Sequence, residues 1–229
     1  MNTTQEKALR AYEQREYEAA VRLLQQAAAE SSSADVRERL LLKCALAQDE
    51  LGKHTEALET LKTVLEQSPE SAGAWNNLGL VCLHIGKYDE ARAACERAYT
   101  LNPELPDALV NLGVVCLRLS DPLNALQYLT LALEHLPGHP AVHANLALTY
   151  AVFGRLEEAE DALRLAILYG YEHGDVIGQK LEALKAVREE IVNAGESKPD
   201  VTHDSSGMHD DNVPDPDSDA ATNGAGDRE

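Results

Sequence analysis

Aromatic residues make up only 4% of this 229-residue chain, with a single tryptophan and a single phenylalanine. A core built on large rings is therefore excluded. Apolar burial has to come from the 44% of hydrophobic residues, much of it alanine and leucine. Runs of β-branched residues are missing, so no sheet is expected. No stretch approaches the roughly 18 uninterrupted apolar residues of a membrane span. The opening MNTTQEKALRAYEQRE has no apolar run either, so a cleaved signal peptide is not expected. These features point to a cytoplasmic chain without membrane insertion. Basic residues are scarce: 20 Lys and Arg stand against 39 Asp and Glu, a net charge of −19. That balance opposes binding to a phosphate backbone, so no nucleic acid partner is expected.

Chemistry-bearing patterns are thin as well. Cys44, Cys82, Cys95 and Cys116 have no C-x-x-C spacing, which argues against zinc or redox use. His135, His139 and His143 recur every four residues, but Pro137 and Pro140 break any helix that would align them. Nothing reads as a nucleophile elbow, a phosphate loop or a zincin motif. No metal, cofactor or enzymatic activity is expected.

What is present is a period. The stretch from Ala72 to Leu105, moved 34 residues along, lands on Pro106 to His139, and again on Pro140 to His173. Leu78, Leu112 and Leu146 superpose, as do Asn77, Asn111 and Asn145. Small residues coincide too: Ala57, Ala91, Ala125 and Ala159, then Ala98, Ala132 and Ala166. Pro69, Pro103 and Pro137 close successive units. Each unit holds two apolar-periodic segments of about a dozen residues around a turn, which predicts an antiparallel helical hairpin. In the Ala72 unit the helices are expected over 71–85 and 88–100, with Gly86 turning between them. One hairpin cannot bury its apolar face alone, so such units stack.

The residues Trp75, Leu78, Gly79, Ala91, Ala98 and Pro103 resemble the tetratricopeptide repeat, with Cys82 and Cys95 where aromatics are usual. Leu112, Gly113, Ala125, Ala132 and Pro137 repeat the pattern, and Leu146, Tyr150, Ala159 and Ala166 carry it on. The resemblance implies an all-α, right-handed α-solenoid of about five hairpins. The expected organisation is a degenerate first repeat over 1–34, then repeats over 38–71, 72–105, 106–139 and 140–173. Lys7 and Arg15 depart from the pattern in the first. A capping helix over 174–195 follows, read from the stripe Val176, Ile177, Leu181, Leu184, Val187 and Ile191. Residues 196–229 carry −8 of the −19 total, leaving −11 for residues 1–195. With almost no bulky aliphatics, that acidic tail is expected to be disordered.

The resemblance also implies that first helices line a concave side. Asn77, Asn111 and Asn145 would then project into one groove, where amides can pair with the backbone of an extended peptide. Such a row resembles the asparagine ladder in the repeat domain of the O-linked N-acetylglucosamine transferase. Leu80, Val114, Leu148, Leu83 and Leu117 adjoin it, with His84 and Arg118 beside them. A clamp of cations for a terminal carboxylate is not expected, because its positions hold Leu42, Leu46, Asp107 and Asn111. The functional expectation is a non-catalytic adaptor or scaffold that binds a protein or peptide segment in the groove. The alternative is a self-assembling structural protein, a homo-oligomer joined through the solenoid ends.

Overall fold

Every first helix of a hairpin must stop within a residue or two and reverse, and one local device does this five times. In the computed structural model, which describes residues 3–196 (side chains through 191), helices α1 (Thr3–Glu13), α3 (Ala34–Glu50), α5 (Ala72–His84), α7 (Pro106–Arg118) and α9 (Pro140–Val152) each end in a left-handed residue. These are Arg15, Gly52, Gly86, Ser120 and Gly154, with φ between 58° and 78°. The N–H of the next residue bonds back five positions, as in Lys53 to the Gln48 carbonyl (2.9 Å) and Asp121 to the Cys116 carbonyl (2.8 Å). This is a Schellman closure. Glycine meets the backbone demand without strain; Arg15 and Ser120 do so at a cost.

The second helices are α2 (Tyr17–Glu30), α4 (His54–Gln67), α6 (Tyr88–Leu101), α8 (Pro122–His135) and α10 (Leu156–Leu168). Packing of each second helix against its own first helix closes the hairpin, and α2, α4, α6 and α8 also pack against the next one. α11 (Gly174–Glu196) follows as the C-terminal helix. Starts are set by capping side chains: Ser33, Ser71 and Asp121 accept from the Val36, Ala74 and Asn124 amides. Pro106, Pro122 and Pro140 occupy first-turn positions, where a missing N–H costs nothing. The architecture is thus the expected α-solenoid of five hairpins and a closing helix.

Small residues set the spacing. Ala57, Ala91, Ala125 and Ala159 are fully buried, and so are Ala98, Ala132 and Ala166. Leu61, Cys95, Leu129 and Leu163 fill the same place in successive second helices. Gly79 and Gly113 lie where a Cβ would drive into Cys95 and Leu129, so those first helices approach their partners too closely for alanine. Trp75 keeps its indole N–H on the Pro69 carbonyl at 2.9 Å, joining the hairpin to the turn before it.

Residues 1–190 form one compact unit. The end of α11, residues 191–196, falls outside that unit. Most of the acidic segment, 197–229, lies outside the described residues. No helix among the described residues is long and apolar enough to cross a membrane.

Candidate functional site

Successive first helices touch one another, α3 with α5, α5 with α7, and α7 with α9. That contact places them on the inner side of the stack, where side chains from neighbouring repeats meet.

The three amides of the repeating row have three different surroundings. Asn77 is buried at 8% exposure. Asn111 donates from Nδ2 to Oδ1 of Asn76, 2.9 Å away in the preceding hairpin. Asn145 donates to the Ala141 carbonyl of its own helix at 2.9 Å. Both Asn111 and Asn145 therefore spend an N–H within the protein, and equal spacing in sequence does not give equal chemistry in space. The signal for this was one residue away: only the first of the three units has a second asparagine, Asn76, beside the repeating one.

Leu80 and Leu83 are half-buried, and Leu83 packs on the cluster of Cys82, Ala91 and Val115. His84 is turned to another task. Its Nδ1–H donates to Oδ2 of Asp49 at 2.7 Å, while His54 donates to Oδ1 of the same carboxylate at 2.8 Å. Asp49 is almost fully buried, so this hub joins α3, α4 and α5. Sequence reasoning missed Asp49, because nothing in the repeat pattern marks it.

The remaining expected residues do come together. Val114, Leu117, Arg118, Asn145 and Leu148 line one groove of about 480 Å³, within the size range of ligand clefts. Ala151 and Val152 extend its floor, and α11 supplies the opposite side through Lys180, Leu181 and Leu184. Lys180 and Leu184 were legible only as parts of a cap. The clue to their second role is position: α11 begins 34 residues after α9, where the first helix of a further hairpin would stand.

Arg118 and Lys180 are exposed, and neither is ion-paired among the described residues. No Asp or Glu among the described residues lines the groove. Among the described residues no group of three or more His, Cys, Asp or Glu is placed to hold a metal. The four cysteines are buried and unpaired, and burial pushes the thiols of Cys44 to about 11 and Cys95 to about 12.

The tetratricopeptide repeat pattern matches residues 42–106 and again residues 117–176, together more than half of the chain. The chain belongs to the tetratricopeptide repeat family. No curated protein matches it. Among solved structures it is similar to TTC0263, a thermophilic tetratricopeptide repeat protein of Thermus thermophilus. That likeness has 22% identity and a TM-score of 0.66, over 80% of this chain and 100% of that one. It is also similar to MamA of AMB-1, with 26% identity and a TM-score of 0.55, over 73% of this chain and 97% of that one. The first likeness is one of fold alone. Tetratricopeptide repeats serve as protein-interaction scaffolds, and that general role is the level at which family membership speaks.

Proposed function

We propose that this tetratricopeptide repeat protein is a non-catalytic adaptor that holds a protein segment in the groove between α7, α9 and α11. The observation that carries the reading is the groove's lining. Val114, Leu117, Leu148, Ala151 and Val152 present an apolar floor on the inner side of a stacked scaffold, open to solvent. A segment laid there gains apolar burial, and Asn145 retains its Oδ1 for a backbone N–H. The contribution of the asparagine row to recognition is correspondingly narrower than a full ladder, since Asn111 and Asn145 already spend an N–H each.

The test is capture of partners from the native cell by the full chain and by Val152→Asp. Val152 is 63% exposed, so the change alters the groove without touching the core. A partner retained by the native chain and lost by the variant supports the groove. Equal retention assigns binding to another surface.

A second reading, self-assembly through the C-terminal end, is favoured by one observation. Ile167, Leu168 and Tyr169 at the end of α10, with Val176 and Val187 on α11, are all at least 45% exposed. Apolar residues on the last helices of a solenoid suit stacking on another copy.

A further inference from the structure

We infer that the segment taken by the groove is an acidic one, with Asp or Glu side chains set among aliphatic residues; the inference rests on the groove reading above. Acids outnumber bases by 39 to 20 in this chain, yet no acid among the described residues lines the groove. Two cations stand there instead, Arg118 from α7 and Lys180 from α11. Several cations elsewhere are tied down: Lys87 to Glu90, Arg92 to Asp121, Arg155 to Glu158, Lys185 to Glu160. Arg118 and Lys180 have no such partner among the described residues.

A local patch of positive potential within an acidic molecule selects what sits beside it. At distances beyond a Debye length the acidic surface is screened, while contacts inside the groove act at a few ångströms. An acidic segment bound there meets Arg118 from α7 and Lys180 from α11, with no acid of the described residues in the lining. The apolar floor of the same groove takes the neighbouring aliphatic side chains. A neutral segment would fill the floor and leave both cations unanswered. Electrostatic complementarity of this kind sets partner choice more than raw affinity. The clamp positions Leu42, Leu46, Asp107 and Asn111 hold no cation; Arg118 stands instead at the end of α7, and Lys180 comes from the closing helix.

The experiment is fluorescence anisotropy with the full chain and two labelled, amidated peptides, Leu-Asp-Glu-Leu-Leu and Leu-Asn-Gln-Leu-Leu. The acidic peptide is expected to bind about fivefold more tightly, the value of two exposed charge pairs, with the gap closing at high salt. The double variant Arg118→Gln, Lys180→Gln is expected to bind both peptides equally. If the two peptides bind the native chain equally and Val152→Asp weakens both, the acidic preference is overturned while the groove stands. If neither peptide binds, or Val152→Asp changes nothing, the groove reading falls and this inference with it. If light scattering shows the mass doubling as peptide binding is lost, a second copy occupies the groove and the inference is likewise overturned.

Discussion

Asn111 of α7 donates to Asn76 of α5 across the junction of two hairpins, amide to amide, at 2.9 Å. Asn76 is 7% exposed, so its oxygen has little access to water if the donor is removed. Asn111→Ala leaves that acceptor unsatisfied and is expected to cost about 1–2 kcal/mol. Asn76→Ala, which removes the buried acceptor itself, should cost less. The check is urea unfolding of both single variants and the double, with the coupling read from the cycle. Additive costs would mean that the bond contributes nothing across the junction.

Gly79 tests how closely two helices of a hairpin approach. A Cβ there meets Cys95 Sγ well inside contact distance and the Ala91 carbonyl oxygen at 3.2 Å. Gly79→Ala is expected to destabilise by about 1–3 kcal/mol through overpacking. Adding Cys95→Ala removes the sulfur, so the double variant should recover part of the loss. Thermal unfolding of the three variants decides it, and a harmless single variant would show that the helices can part at no cost.

Ser120 holds a left-handed φ of 58° where three sister turns use glycine. Ser120→Gly removes that strain at the expense of a more flexible unfolded chain. The balance favours stabilisation, by about 0.5–1 kcal/mol. A rise in the urea midpoint at unchanged slope is the expected reading. Ala at the same place should give no gain.

Much of the fold could be read from spacing because each hairpin repeats one packing solution. Ala91, Ala98 and their equivalents had to be small wherever helices cross, and the 34-residue period recorded that need. The site was less legible for a physical reason. Residues on the inner side are less uniformly constrained than those at the helix crossings, so each unit uses them differently. Asn77 is buried, Asn111 bridges repeats, Asn145 binds its own helix, and His84 answers to an aspartate 35 residues away. Lys180 reaches the groove from outside the five hairpins altogether.

The buried thiols give a pH dependence with a definite sign. Burial raises Cys44 from 9.0 to about 11 and Cys95 from 9.0 to about 12. With the folded value raised, the unfolded chain ionises first. Stability from burying these thiols is whole below pH 9 and is lost as pH climbs from there towards 12. Native protein at neutral pH should leave all four cysteines unreactive to a thiol reagent, and unfolding should release four. Rapid labelling of Cys95 in the native state would contradict its burial.

Asp49 is the last and sharpest test of how the early repeats are held together. Its carboxylate is 4% exposed and accepts from His54 at 2.8 Å and His84 at 2.7 Å. The first bond closes its own hairpin, because α4 starts at His54; the second reaches α5 of the next. Removing the carboxylate loses both, whereas removing either imidazole loses one and leaves the other. Asp49→Ala is therefore expected to cost about 2 kcal/mol, discounted for the partial exposure of the two histidines. His54→Ala and His84→Ala should each cost less than half of that, since a remaining imidazole still answers the buried carboxylate. The measurement is urea unfolding of the three variants. Should Asp49→Ala cost no more than His84→Ala, the carboxylate serves one hairpin junction only, and the link between α3, α4 and α5 has to lie in their apolar contacts.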